Sequence, residues 1–491
     1  MIDTQAIRIK VLDLAVRGLL TDQLNEDGSA AELCREIQKE KLCLIKDGKI
    51  KKEKPLPTIT DDEKPYDIPT NWKWVRLGEY CQKVTDQVAS GSFATLRENV
   101  RSLKTPDYAI MVKTADFANG FTSNLTYTDK HGYEFLSNSN LFGGELILSN
   151  VGSVGKCFIV PKLPQKMTLA PNAVMIRMMK EEGKDYLYYF LISSQGYREL
   201  NTISTGVAVK KFNKTELKKI LIPLPPIAEQ QRIVKRIEEA FSALDTIDSL
   251  QEQYTDNLNV LKSKLINSAI QGKLTAQLPE DGTAEDLYQQ IQAEKQALIK
   301  EGKIKKEKSF PEVIEDAFPF EIPDNWKWVS VGEVCTNIQY GSSEKSSSSG
   351  KMIVLRMGNL QNGKIVYDKL AYTSDDDVIA KYPLEKNDLL FNRTNSMELV
   401  GKTAIYKGEH PAIYAGYLVR ITPVLFDPDY LNFVMQSQHY WDYCRSVRSD
   451  SIGQSNINAE KLKRFVFPFP PLAEQQRIVT LLEELLKKVD P

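Results

Sequence analysis

The chain has 491 residues, 42 % of them apolar and 26 % charged, with a formal net charge of −1. This length suits roughly three domains of ~150 residues, and near-neutral charge gives no global electrostatic case for nucleic-acid binding, so any DNA contact would rest on local basic loops or on a partner. No apolar run approaches the ~20 residues of a membrane span and Met1 to Lys10 is too polar for a signal peptide, so the expected compartment is the cytoplasm.

Residues 1–18 read as a short helix, with Ile7, Val11, Leu14 and Ala15 at helical spacing. Residues 19–66 form a helical linker. It has a loop around Asn25 to Gly28, a predicted helix from Ala30 to Ile45, a lysine-rich tail from Lys49 to Lys54, and the breakers Pro55, Pro57 and Pro65. Residues 67–226 make a first globular body. Short strands are predicted at Tyr108 to Lys113, Glu145 to Ser149, Cys157 to Val160 and Val174 to Met178, with a helix from Asp185 to Ser194.

Residues 227–272 carry the longest helical pattern. Pro226 just upstream and Glu229 in the first turn are start signals, and Gly272 is a stop. Ile237, Phe241, Leu244, Tyr254, Leu258, Leu261 and Leu265 recur mostly in steps of three and four, the seam of a coiled coil. At ~1.5 Å per residue the rod is about 65 Å long. Residues 273–319 repeat the linker, including the lysine tail from Lys303 to Lys308, and residues 320–471 form a second body. Its serine-rich patch, Ser342-Ser343 and Ser346 to Ser349, is predicted to be a mobile loop. Residues 472–491 hold a terminal helix from Ala473 to Val489.

Much of the chain is written twice, and a long internal repeat determines the architecture. Ile68-Pro-Thr-Asn-Trp-Lys-Trp-Val75 returns as Ile322-Pro-Asp-Asn-Trp-Lys-Trp-Val329, and Leu20 to Lys54 returns as Leu274 to Lys308. Pro225-Pro-Ile-Ala-Glu-Gln-Gln-Arg-Ile-Val234 returns as Pro470-Pro-Leu-Ala-Glu-Gln-Gln-Arg-Ile-Val479. The terminal helix matches only the first half of the central rod, and the N-terminal helix matches its second half. The expected organisation is a circle of two equal units cut inside one rod. The first and last helices would then form a second rod antiparallel to the central one, since long helices need a partner face. Three helices capping unrelated surfaces is the alternative. The fold class is α+β: two mixed α/β bodies separated by an antiparallel helical pair, with pseudo-twofold symmetry.

The step into Ala-Glu-Gln-Gln-Arg-Ile-Val at Ala228 and Ala473 resembles the repeat regions of type I restriction–modification specificity subunits, as does Ile-Pro-x-Asn-Trp-Lys-Trp-Val at Ile68 and Ile322. The resemblance covers nearly the whole chain. It implies that the two bodies are target-recognition domains, each reading one half of a split DNA sequence across a helical spacer. It implies a non-catalytic subunit that itself takes no cofactor. Its expected partners are double-stranded DNA and two methyltransferase subunits that use S-adenosylmethionine, with motor–nuclease subunits that use ATP and Mg as a further expected partner.

Catalytic signatures are missing. Gly401-Lys402-Thr403 would end a phosphate loop only with glycine at Ser396, and Gly152 to Lys156 has Asn150 where the first glycine belongs. His131, His410 and His439 are not at metal-ligand spacing. Phe426-Asp427-Pro428-Asp429-Tyr430 lacks the second proline of an amino-methyltransferase motif and reads as a turn before a helix. The six cysteines include no CxxC pair and read as buried structural thiols.

DNA sequence is read at base edges by Arg, Lys, Asn and Gln, while backbone amides, Ser, Thr and Lys hold phosphates. Three loop pairs, one member in each body, offer such residues. Asn150, Ser153 and Lys156 lie in a glycine-containing loop between two strands, answered by Arg393, Asn395 and Lys402. Lys113 at a strand exit aligns with Arg356, followed by Asn359. Lys210 and Lys211 close the segment from Thr205, answered by Gln454 within Ser451 to Asn456. Plain surface turns are the competing reading for all three. The pairs Trp72/Trp74 and Trp326/Trp328 read as core anchors rather than base-stacking platforms, and the lysine tails as linkers, subunit contacts or phosphate attractors. The functional reading is recognition of a bipartite DNA target. The alternatives are a non-DNA twofold scaffold for two copies of a protein partner, and a self-contained nuclease or methyltransferase.

Overall fold

The computed structural model describes residues 1–152, 154–206, 209–306 and 318–489. The chain divides inside its central helix into two units, Met1–Gln251 and Glu252–Pro491. The linker segment 307–317, with Lys308 of the second lysine tail, and Ser153 lie outside the described residues, as do Val207 and Ala208.

Unit 1 begins with helix α1 (Thr4–Val16), whose first turn is capped by Asp3. Helix α2 (Ala30–Lys46) starts with a reciprocal Ser29/Glu32 capping box. The face that α1 buries is only partly the expected one, with Ala15 buried and Val11 packed on the core as expected. Thr4, Leu12, Ala15 and Val16 are buried, while Ile7 is 40 % exposed. The reason lies in its neighbour, the first half of the long helix α3 (Ile227–Ile270), which presents carboxylates as well as apolar groups. Thr4 Oγ1 donates to Asp248 at 2.5 Å, and Arg8 bonds Asp245 at 2.7 Å and Asp248 at 3.0 Å while lying 5.2 Å over the Phe241 ring. Positions 4, 8, 12 and 16 form one stripe. Thr4 meets Asp248 and Arg8 reaches back to Phe241, so the two helices run antiparallel.

The first body closes on itself by pairing Lys73–Arg76 antiparallel with Leu221–Leu224. Between them lie two four-stranded sheets. One has the order Cys81–Asp86, Ala173–Met178, Leu146–Ser149, Cys157–Ile159; the other has Tyr127–Thr128, Ala109–Val112, Lys166–Leu169, Asn140–Leu141. Leu146–Ser149 is buried throughout, and its side chains alternate between two cores. Leu146 and Leu148 join Trp72 and Tyr186, whereas Ile147 joins Ile110 and Val112.

Unit 2 repeats the frame with helix α4 (Ala284–Lys300) and the antiparallel pair Lys327–Ser330 with Val466–Phe469. Its main sheet has six strands, in the order Cys335–Tyr340, Leu418–Pro423, Leu389–Asn392, Thr403–Ile405, Gly363–Ile365, Leu360–Gln361. Two three-stranded sheets flank it. Ala371–Thr373, Met352–Leu355 and Ala412–Tyr414 form one; Thr394–Asn395, Gln454–Asn456 and Ser449–Ser451 form the other. Asp427 caps the helix Pro428–Val434, so the Asp-Pro-Asp-Tyr segment is the turn its spacing suggested. The final helix α5 (Leu472–Val489) contributes Ile478, Val479 and Leu482 to the same core as Ile266, Ala269 and Ile270 from the second half of α3.

Two expectations need correction. The seam of α3 is only partly buried: Ile237 and Leu244 are covered, but Tyr254 and Leu261 are exposed. Burial follows the reach of the covering elements: α1 bonds Asp248, and Ile2 just before it exchanges bonds with the Gln251 side chain. The serine-rich segment, expected to be free, is tied at both ends. Ser342 forms a bridge to Ala415, and Ser347 exchanges backbone hydrogen bonds with Tyr372 at 2.8 and 2.9 Å.

The repeated Ala-Glu-Gln-Gln-Arg step is the hub of each frame. Glu229 accepts from the Trp72 indole at 2.9 Å, and Glu474 from Trp326 at 2.8 Å. Gln230 and Gln475 donate to the carbonyls of Pro225 and Pro470. Arg232 grips Asp27 through two bonds of 2.5 and 2.6 Å, and Arg477 grips Asp281 at 2.7 and 2.5 Å. These bidentate pairs fasten each long-helix start to its linker loop. Gly18 and Gly272 sit at φ +72° and +68° against Pro69 and Pro323, where a side chain would collide. Trp72 and Trp326 are thus core anchors. Cys81 and Cys335 are buried at repeat-equivalent places, and burial pushes the Cys81 thiol up to about 12.

Candidate nucleic-acid interface

In each unit, two of the three candidate loops are brought together by backbone pairing. In unit 1, Ser149 and Lys156 close the first loop, with Ser149 N donating to Lys156 O at 3.0 Å and Gly155 N to Ser149 O at 3.1 Å. That loop is then bound to the segment ending in Lys210 and Lys211. Val151 bridges Lys211, Gly152 N donates to Lys210 O at 3.1 Å, and Phe212 N donates to Asn150 O at 3.1 Å. Unit 2 has the same wiring. Asn392 N donates to Lys402 O at 2.8 Å and Gly401 N to Asn392 O at 2.9 Å. Thr394 and Asn395 pair with Asn456 and Ser455, and Ile457 N donates to Arg393 O at 2.9 Å. Asn150 and Arg393 therefore occupy the same place in the two frames.

The third loop pair is also built alike. Lys113 N donates to Asp116 Oδ2 at 2.8 Å, and Arg356 N donates to Asn359 Oδ1 at 2.9 Å. The acid or amide three residues on is a loop clamp in both. Asn359 is buried, and its Nδ2 donates to Val366 O at 2.9 Å and Asp368 O at 3.0 Å, so its amide is committed to the backbone.

Unit 2 gathers its candidates around an open cleft of about 1360 Å³. Arg356, Asn359, Arg393 and Gln454 line it, together with Ser342 to Ser346, Lys369 and Tyr417. The cationic side chains on the wall are Lys345, Arg356, Lys369 and Arg393; the acidic ones are Glu344 and Asp368. A local excess of positive charge thus exists on a chain that is neutral overall. Arg356 is exposed and its Nη2 donates to Lys369 O at 2.8 Å. Arg393 is half-buried, its guanidinium 4.5 Å from the centre of the Tyr340 ring. Lys402 is not on the wall but donates to Gln361 Oε1 at 2.9 Å, which is. Asn395 is not on the wall either, and its Oδ1 accepts from Ser396 N at 2.8 Å.

In unit 1 three of the five described candidates already have protein partners. Asn150 Nδ2 donates to Phe212 O at 3.2 Å. Lys113 Nζ lies 3.7 Å from the buried carboxylate of Asp116, and Lys210 Nζ donates to Asn201 Oδ1 at 3.1 Å. Lys156 and Lys211 are exposed. Reasoning from the sequence missed Tyr340, Tyr417 and the serine-rich wall. The available signal was an aromatic residue, Tyr340, at a strand end next to a low-complexity polar loop.

Residues 69–254 and 323–490 match the family described as the type I restriction modification DNA specificity domain. The chain belongs to this family. Its two domain copies correspond to the two frames described above. Among curated relatives, the EcoAI specificity subunit of Escherichia coli is 26 % identical, covering 98 % of this chain and 88 % of the relative. The EcoEI specificity subunit of Escherichia coli is also 26 % identical, covering 99 % and 89 %. A solved structure from work on complex assembly and conformational transition of the type I R-M system matches with a TM-score of 0.51 at 20 % identity, covering 87 % of this chain and 92 % of that one, a likeness of fold. Among the described residues no helix is long and apolar enough to cross a membrane, and no group of three or more His, Cys, Asp or Glu side chains is arranged to hold a metal ion.

Proposed function

We propose that this chain is the DNA-recognition subunit that gives a type I restriction–modification complex its sequence specificity, without catalysis of its own. The observation that carries the reading is the pairing of two specificity domains that share one framework and one loop wiring but present different side chains. Asn150 in one corresponds to Arg393 in the other, and Lys113 to Arg356. Shared wiring with altered side chains suits two readers of unlike half-sites. Each unit would insert its loops into the major groove, where all four base pairs are distinguishable. Lys156, Lys211 and, by position, Ser153, Lys113, Lys210 and Lys402 would serve as backbone contacts. Arg356, Arg393, Gln454, Asn150 and Asn395 would lie nearest the bases, with Asn359 supporting them.

The long helix would set the separation of the half-sites, leaving the intervening bases unread. Repeated surfaces would receive two methyltransferase subunits, one per half-site. S-adenosylmethionine would be used by those partners, and ATP and Mg by motor–nuclease partners, in the cytoplasm. No finding favours the scaffold reading. Replacing residues 320–471 with the corresponding body of a relative should change only one half of the sequence methylated by the assembled complex; a change in both halves would refute the division of labour. Inserting four residues near Leu250 adds about 6 Å, which at ~3.4 Å per base pair should lengthen the unread spacer by one or two base pairs.

A further inference from the structure

We propose that Arg393, oriented by its stack on Tyr340, is a specificity-determining residue of unit 2 that reads a guanine edge in the major groove of duplex DNA. This rests on the recognition role proposed above and adds the class of base read.

The backbone at Arg393 is fixed on both sides. Its N–H donates to Tyr417 O at 3.0 Å, and its carbonyl accepts from Ile457 N at 2.9 Å. The side chain leaves this junction into the cleft, with its guanidinium 4.5 Å from the Tyr340 ring centre. Tyr340 is itself anchored, because its hydroxyl oxygen accepts from Ala459 N at 3.0 Å. Stacking on a held ring restrains a guanidinium and leaves the edge of its fork to bond in plane.

Unlike those of Arg356, Arg420, Arg445, Arg448 and Arg477, the Arg393 guanidinium has no acceptor among the described residues. Arg477 is held by Asp281, and Arg448 by Asp450 and the Met397 carbonyl. Among the described residues no carboxylate or carbonyl is bonded to the Arg393 guanidinium, and its Nε is buried without a partner. With Nε covered by the protein, the donors left to a ligand are those of the Nη edge.

Guanine suits this arginine better than phosphate does. Guanine O6 and N7 form a planar double acceptor that matches a guanidinium fork. A phosphate also accepts a guanidinium fork, but the exposed Lys345 and Lys369 on the cleft wall already offer charges to the backbone. In unit 1 the equivalent Asn150 is half-buried and its amide is bonded to Phe212 O, so the guanine requirement belongs to one half-site.

The test uses the full chain co-purified with its partner subunits, selecting from a library of randomised DNA duplexes. The wild-type complex is expected to enrich a bipartite sequence with a guanine in the half that changes when residues 320–471 are replaced. Arg393→Lys, which keeps the charge and removes the fork, should reduce preference for that guanine by roughly 10- to 100-fold and leave the other half-site unchanged. Selection of the other half also reports that the variant is folded. Tyr340→Leu should weaken the same position less. Independently of any protein variant, 7-deazaguanine at that position removes N7 and should weaken wild-type binding but not that of Arg393→Lys. The proposal is overturned if the unit 2 half-site contains no guanine, if 7-deazaguanine binds wild type as well as guanine does, or if Arg393→Lys keeps the preference. It is equally overturned if Arg393→Ala weakens all sequences alike and lowers the salt slope by about one, the mark of a phosphate contact. A wild-type complex that selects no sequence at all would instead refute the recognition role itself.

Discussion

Unit 1 and unit 2 hold their frames with the same bonds and furnish their loops with different side chains. The Trp72–Glu229 and Trp326–Glu474 contacts differ by 0.1 Å, at 2.9 and 2.8 Å. The loop closures from Ser149 to Lys156 and from Asn392 to Lys402 use the same backbone atoms. Yet the sheets beyond the frame diverge, four strands and four in one unit, six, three and three in the other. Where unit 1 commits Asn150 and Lys113 to protein partners, unit 2 opens a cleft with Arg356 and Arg393 on its wall. The frame must satisfy folding in both copies. Side chains beyond it are released from that demand and can differ without loss of stability.

The largest test of this comparison is to remove the hub. Trp72→Ala and Trp326→Ala should each destabilise their own unit by about 3–5 kcal/mol, measured by chemical denaturation, with similar values in the two units. A large cost in one and a negligible cost in the other would mean that the frames are alike in outline only.

A smaller test converts one loop clamp into the other. Asn359→Asp gives unit 2 the acid that unit 1 carries at Asp116, but places it against the carbonyls of Val366 and Asp368. A loss of about 1–3 kcal/mol is expected from the mismatched buried groups, seen as a lower denaturation midpoint with the half-site preference retained. No loss would show that the two clamps are interchangeable.

Lys156→Ala probes unit 1 at an exposed position. Binding should weaken uniformly across sequences, with the slope of log affinity against log salt falling by about one. A shift in sequence preference would instead make Lys156 a base reader.

The smallest expected effect is that of Glu229. Burial raises its carboxyl above the ordinary 4.5, against the lowering effect of the Trp72, Asn71 and Thr21 donors. A carboxyl raised in the folded state binds its proton there more tightly than in the unfolded chain. Its contribution is therefore fully present below the ordinary carboxylate value and is lost as pH rises through the raised one. Glu229→Gln should flatten that part of the stability profile, followed by urea midpoints between about pH 4 and pH 7. A profile as steep as that of the wild type would assign the titration elsewhere.

Much of the frame was legible in the sequence because it repeats. The strands at Ala109–Val112, Leu146–Ser149, Cys157–Ile159 and Ala173–Met178 fall within a few residues of their predicted places, as does helix Lys184–Ile192. Local pattern suffices where an element is short, apolar and bounded by turns. It failed in part on α1, where periodicity favoured Ile7 but ion pairing turned Thr4 and Arg8 towards α3. It failed again on the seam of α3, because a stripe reveals what could be buried and not how far a covering helix extends. The candidate loops were found, but their roles were not separable: Asn359 and Arg356 are three positions apart, yet the Asn359 amide is buried and spent on two carbonyls while Arg356 is exposed and gives one bond to Lys369 O.

The amino-acid sequence alone determined the duplication, the five framework helices and the loops that hold polar and basic residues, because periodicity, caps and repeats are local properties of a chain. The tertiary structure alone decided which loops meet, which amides are consumed in holding them, and that Arg393 rests on Tyr340 beside a basic cleft. Those outcomes depend on residues far apart in sequence, whose encounter is set by the packing of the whole unit and is written in no local pattern.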